Sequence, residues 1–164
     1  MQVETDNMIL FWQADSIYSN WYPAKFAVAG VEFFHSEGAF IAFKAAEFGH
    51  VRDVRRIAAL EDPKDAKAWG RNNIPNFYEP KWNEVRFMRM YWAVYHKFKQ
   101  NPDLMEQLLA TGDKLLVEAS PYDKIWGIGL APNDPKALDQ SNWKGKNLLG
   151  AGLMELRHNL RLEK

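Results

Sequence analysis

The sequence predicts a mainly α-helical α+β fold, a single compact domain over residues 1–164 with a small β element near the N-terminus. Three observations lead there. Aromatic and β-branched runs cluster before residue 35, runs with helical spacing fill most of the remaining chain, and no repeat, low-complexity tract or flexible linker interrupts them. A chain of 164 residues with 47% hydrophobic content is long enough to bury one core.

In chain order, ILFWQ (Ile9 to Gln13) and FAVAGVEFF (Phe26 to Phe34) read as short strands, the second broken at Gly30 as a hairpin would be. SNWYPAKF between them reads as loop. From Ser36 the pattern turns helical: a capping serine, an acid in the first turn, and an apolar run to Phe48 that Gly49 can stop. VRDVRRIAAL (Val51 to Leu60) reads as a second helix with a basic face, and PKDAKAWGR as a third, with Pro63 suited to its first turn. After the irregular NNIPNFYEP, residues Pro80 to Gln100 carry the longest helical pattern. A further helix starts at Pro102 and ends at Gly112, KLLVEAS reads as a short strand, and the chain closes as a helix from Asn147.

Composition excludes several chemistries. The absence of cysteine removes disulfides, thiolate metal sites and cysteine nucleophiles. The four histidines lie far apart and form no HExxH pair, so neither a metal nor a cofactor is expected. No apolar run approaches the ~20 residues of a membrane span, and the acidic N-terminus lacks the order of a signal peptide, which predicts a cytoplasmic protein without membrane contact. Twenty-one basic and 21 acidic side chains cancel, so any contact with a polyanion is local. No GxSxG nucleophile elbow occurs.

Two groups of residues stand out for chemistry. Glu37 and Lys44 are seven positions apart on one predicted helix, about 10 Å along its axis at 1.5 Å per residue, on a face otherwise made of Phe40, Ile41 and Phe48. Either they meet one small ligand, or Glu37 complements the helix dipole while Lys44 reaches out to water. The second group is Glu118, Asp123 and Trp126, at the end of a predicted strand and in the loop after it. A loop site and an Asx-type turn around a core tryptophan explain these residues equally well. GKN at Gly145 to Asn147 immediately precedes the last helix, whose N–H groups can meet a phosphate. The arginines at 52, 55 and 56 and the Lys64, Lys67, Arg71 series read as solvated faces.

Several segments in order resemble the NADAR family, the YbiA-like proteins. They are SN at Ser19–Asn20, Gly30, SE at Ser36–Glu37 with Lys44, and AKAWGR ending at Arg71. They continue with Trp82, Val85, Met90 and Lys97–Phe98, then LLATG, LVEASPYDKIWGIG and WKGKNLLGAGLMELR, covering the chain from about Phe11 to Arg157. One departure is plain. Similar proteins usually place a histidine or another polar residue after the SE pair, where this chain has Gly38 and AFIAF. The resemblance implies N-glycosidase activity on an ADP-ribosyl or phosphoribosyl substrate: ADP-ribosylated guanine in DNA or RNA, or a phosphoribosyl-amino-pyrimidine. A non-catalytic ADP-ribose-binding module is the alternative. Within that frame Glu37, Lys44 and Asp123 are the catalytic candidates about a single ribose, and Trp126 offers a stacking surface. Asn20, Arg71, Glu118, Gly127, Lys146 and Asn147 are the remaining substrate-binding candidates.

Overall fold

The computed structural model describes residues 1–163. Over these residues fourteen elements follow one another, mostly helical, and they pack as two compact units: Met1–Tyr22 together with residues 103–163, and Pro23–Pro102 inserted between them in sequence. The α+β, mainly helical class expected from the sequence is the class observed.

The first unit is organised by a three-stranded sheet in the order β1 (Gln2–Glu4), β2 (Met8–Phe11), β5 (Leu115–Glu118). β1 runs antiparallel to β2, whereas β2 and β5 are parallel, with Met8 opposite Leu115 and Phe11 opposite Glu118. Leu10, Val117, Ala119, Ile128, Leu130 and Ala137 bury one side of this sheet, with Trp143 packed at the margin and its indole N–H donating to the Ala137 carbonyl at 2.8 Å. The helix α5 (Pro102–Ala110) leads into β5, and α6 (Leu148–Leu162) packs on it.

The join between α6 and β5 depends on two small features. Asn147 sits in the left-handed region at φ 53°, which asparagine tolerates better than most residues. From there its amide bridges β5, the nitrogen donating to Leu116 O at 3.0 Å and the oxygen accepting from Glu118 N–H at 2.9 Å. The edge of β5 away from β2 is thereby satisfied by a side chain in place of another strand. Beside it, Gly150 is bare because a Cβ there would lie 2.0 Å from Leu116 O and 2.5 Å from the Asn147 amide oxygen. Gly150→Ala is therefore expected to push α6 off β5 and destabilise the protein by about 1–3 kcal/mol or more. Urea unfolding would show a lower midpoint at unchanged slope.

In the second unit, β3 (Phe26–Val28) and β4 (Val31–Phe33) form a hairpin whose turn residues Ala29 and Gly30 both have positive φ, 49° and 78°. That pair of left-handed residues matches the twist of a two-residue hairpin. The free edge of β3 is held by Gln100, whose amide both accepts from Ala27 N–H and donates to Ala27 O at 2.8 Å. The helix α1 (Ser36–Glu47) is buried along most of its first two turns and contacts β4, α2 (Val54–Ala58), α3 (Pro63–Asn72) and α4 (Glu79–Lys99). Its length matches the sequence expectation, and Gly49 at φ 86° follows its end.

Three expectations are corrected by the fold. The cap of α1 is His35 rather than Ser36: the imidazole Nδ1 accepts from Gly38 N–H at 2.9 Å, and Ser36 is already the first helical residue. Gly38 makes room for this, since a Cβ would lie 3.1 Å from the His35 ring. Residues 51–60 do not form one helix. A 3-10 turn at Val51–Asp53 precedes the short α2, in which only Ile57 and Ala58 are buried, too narrow an apolar seam to hold a longer helix. Finally, the N-terminal N–H groups of α6 do not face an open anion site. Asn147, Leu148 and Leu149 donate to the carbonyls of Gly127, Ile125 and Trp126, so the loop itself caps the helix.

Candidate active site

The inserted unit assembles the first group of candidates across the α1–α3 contact. α3 can lie close to α1 because Gly70 has no side chain; a Cβ would stand 2.6 Å from Ile41 Cδ1. This approach carries the Gly70 carbonyl to Lys44, whose Nζ donates to it at 3.4 Å. The ammonium lies 4.7 Å from the centre of the Phe77 ring and 5.5 Å from that of Trp82. Both distances are within the range of favourable cation–π attraction. Phe40 and Phe48 extend this wall, Phe40 against Trp82 at 5.3 Å and Phe48 against Phe77 at 5.2 Å. Lys44 is thus held by its neighbours, and the reading in which it simply reaches out to water does not describe it.

The electrostatics bind Lys44 to two other sequence candidates. Burial pushes its ammonium below the usual lysine range, the Glu37 carboxylate opposes that shift, and the Arg71 guanidinium adds to it. Glu37, only 8% exposed in the first turn of α1, and Arg71 in the last turn of α3 therefore act on the same nitrogen. The third ionisable side chain of α1 has a separate task. Glu47 accepts from Arg89 Nε at 3.0 Å and Nη2 at 2.7 Å and pairs with Lys81 at 3.5 Å, and these hydrogen bonds hold its carboxyl below the ordinary range. An open cavity of about 390 Å³ is lined by Phe43, Ala46, Glu47 and Arg89, so its charged groups are already paired with each other.

The second group lies in the other unit. Ser120 Oγ accepts from Asp123 N–H at 3.1 Å, and Asp123 Oδ1 accepts from the N–H groups of Ile125 and Trp126 at 2.9 and 2.8 Å. The Asx-type turn expected as one reading is present, but Trp126 is half-buried rather than in the core. Gly127 is needed because a Cβ would meet the Glu118 carbonyl at 2.8 Å and the Asp123 carbonyl at 3.0 Å. Glu118 is half-buried and Lys146 exposed, while Asn147 commits both ends of its amide to β5. Asn20 is buried in the turn after β2. Among the described residues no group of three or more His, Asp or Glu side chains is arranged to hold a metal ion, and no helix is long and apolar enough to cross a membrane.

Two features of the Lys44 environment escaped sequence reasoning. Phe77 sits in the irregular NNIPNFYEP segment, where an aromatic has no periodic signal, and the Gly70 carbonyl becomes visible only once α1 and α3 are packed. His35 was also missed, although its place directly before the SE pair was the available hint.

The family model described as the NADAR domain matches residues 10–161. The chain belongs to the NADAR family. It is 38% identical to an N-glycosidase of Acanthamoeba polyphaga mimivirus, covering 94% of this chain and 97% of that protein. It is 33% identical to an N-glycosidase of Nostoc punctiforme, over 92% of this chain and 88% of the relative. The NMR structure of the Escherichia coli protein YbiA superposes with a TM-score of 0.78 at 30% identity, over 98% of this chain and 89% of that one. This NADAR protein is accordingly an enzyme of the N-glycosidase class.

Proposed function

We propose that this NADAR protein hydrolyses the ribosyl–nitrogen bond of an ADP-ribosylated base, namely ADP-ribosyl-guanine in nucleic acid, or of a related phosphoribosyl-amino-pyrimidine. The observation that carries the reading is the coupling of Glu37, Lys44 and Arg71 around one half-buried ammonium. Breaking the C1′–N bond leaves positive charge on the sugar carbon and negative charge on the departing base, and water supplies the hydroxyl that ends on C1′. A fixed carboxylate answers the first charge and a positioned proton donor the second. Glu37 takes the first role and Lys44 the second, with Arg71 as a cation suited to a phosphate or hydroxyl of the ribosyl group. Asp123 and Trp126 belong to the other unit, where they offer a carboxylate and a ring suited to stacking on a base. The same unit carries Asn20, Glu118, Gly127 and Lys146 as polar and backbone candidates, with Asn147 fixing its loop through hydrogen bonds to β5.

The displacement of Lys44 below the usual lysine range also favours a second reading, in which the neutral amine attacks C1′ and expels the base. The resulting glycosylamine opens to an imine that water then hydrolyses. Sodium borohydride added during turnover separates the two, because reduction of an imine leaves a stable sugar adduct on Lys44 and the acid role leaves none.

The substrate is tested by incubation with an oligonucleotide carrying ADP-ribosyl-guanine and, separately, with a ribosylamino-pyrimidine phosphate, both followed by mass spectrometry. Release of ADP-ribose with restoration of guanine, or of ribose phosphate with the free aminopyrimidine, is the expected result. Binding of ADP-ribose without turnover of either compound would instead assign a non-catalytic ligand-binding module.

A further inference from the structure

We infer that His35 is a positioning residue for the Glu37–Lys44–Arg71 set, acting by fixing the start of α1 against the segment that leads into α3. This inference rests on the proposed catalytic role of that set and extends it to a side chain outside it.

The geometry defines the state of the ring. Gly38 N–H can only donate, so His35 Nδ1, 2.9 Å away, is the unprotonated acceptor. The neutral imidazole then carries its proton on Nε2, which donates to the Leu60 carbonyl at 3.0 Å. Both ring nitrogens are engaged, the residue is 2% exposed, and the Gly38 backbone leaves only a methyl-sized gap that the ring already fills. Serine, aspartate or asparagine would cap this helix as well as histidine does. None of them spans from Gly38 to Leu60. The extra reach of the imidazole is therefore the distinctive feature.

The connection it makes runs between the two elements that build the site. Leu60 lies in the short segment between α2 and α3, two residues before Asp62, which caps α3 by accepting from Lys64 N–H at 2.8 Å. α3 in turn supplies the Gly70 carbonyl and Arg71, while α1 supplies Glu37, two residues after His35, and Lys44. Close packing of Gly70 on Ile41 fixes the middle of this helix pair. The His35–Leu60 hydrogen bond fixes the end at which Glu37 stands. A slip there moves the carboxylate relative to the Lys44 ammonium, which comes from the same helix but is tied to the Gly70 carbonyl of α3, and small displacements of positioned groups are costly to catalysis.

Protonation would convert Nδ1 from acceptor to donor and set it against Gly38 N–H at the positive end of a helix. Burial accordingly holds His35 below its usual pKa, partly opposed by its hydrogen bonds to the Leu60 and Glu61 carbonyls and by the Asp62 carboxylate, the charged group that acts on it.

The test compares wild type with His35→Asn, which keeps a cap for Gly38 but cannot reach Leu60, and His35→Ala, which loses both. Three readouts are taken: thermal stability, kcat and KM on the ADP-ribosyl-guanine oligonucleotide, and the titration of Lys44 followed by NMR with labelled lysine. His35→Asn is expected to retain most of the stability but to lose about tenfold or more in kcat, with KM within about twofold. Its Lys44 titration should move further down, because the displaced Glu37 carboxylate no longer opposes the desolvation of the ammonium. Wild-type turnover should also fall as pH drops below the usual histidine range, and this component should vanish in His35→Asn. Wild-type kcat together with an unmoved Lys44 titration in His35→Asn would reduce His35 to a helix cap and overturn the inference. Should wild type turn over no substrate, the proposed function fails by itself, and the Lys44 titration still decides the role of His35.

Discussion

Lys44→Ala and Glu37→Gln are each expected to lower kcat about 10²–10⁴-fold, the usual worth of a positioned proton-transfer group, with far-ultraviolet circular dichroism unchanged. Both side chains lie on the buried α1, but neither is a major packing element. Lys44 rests against Phe77 and Trp82 at 4.7 and 5.5 Å, and these rings also contact Phe48 and Phe40. The aromatic wall therefore persists without the lysine. Glu37→Gln keeps the shape of the side chain and removes its charge, which takes away the influence that counteracts desolvation of Lys44. The pH profile of that variant identifies the working form of the lysine. If the ammonium donates a proton, activity falls as pH rises through the Lys44 pKa, and without Glu37 the fall comes at lower pH. If the neutral amine attacks, activity rises through the same pKa, and the rise comes earlier. Wild-type rates in both variants would place the reacting centre elsewhere.

How much of this was legible in the sequence depends on which interactions are local. The Glu37–Lys44 pair could be found because helical periodicity puts positions seven apart on one face, and the hairpin at residues 26–33 could be found because Gly30 marks a turn that needs positive φ. The extents of α1, α4 and α6 follow from the same periodicity. β1 was missed because QVE is three residues long and exposed at both ends, with no alternation to read; it becomes a strand by pairing with β2. The cap of α1 was assigned to Ser36 because serine is the commoner cap, whereas tertiary contact with Leu60 selects His35. The anion site expected before α6 was lost for a similar reason: its N–H groups meet distant upstream carbonyls of the Ile125–Gly127 loop, and nothing local encodes that. Gly70 and Phe77 complete the Lys44 environment through packing of α3 and its following segment on α1, which composition does not reveal.

Lys97→Met is expected to change the pH dependence of stability more than any of the other substitutions. Lys97 is fully buried in the last turn of α4, with Nζ 5.1 Å from the Phe98 ring. The end of a helix favours a cation, but that is worth only about 0.3–1 kcal/mol, and desolvation dominates. Burial lowers the pKa from 10.5 to about 7. Above pH 10.5 the lysine is neutral in folded and unfolded chains alike and costs nothing by this route. Between that pH and about 7 the unfolded chain binds a proton that the folded chain refuses, so stability falls with falling pH. At about 1.4 kcal/mol per unit the loss reaches roughly 3–5 kcal/mol near neutrality and then stays constant. Methionine fills a similar volume and does not titrate. The difference in unfolding free energy between Lys97→Met and wild type should therefore shift in favour of the variant by that amount between pH 10.5 and pH 7, whatever its value at the alkaline end. Taking the difference cancels the titration of every other group that the substitution leaves alone. Urea unfolding of both proteins at about pH 7, 8.5 and 10 measures it, and a difference independent of pH would show that Lys97 keeps an ordinary pKa in the folded protein.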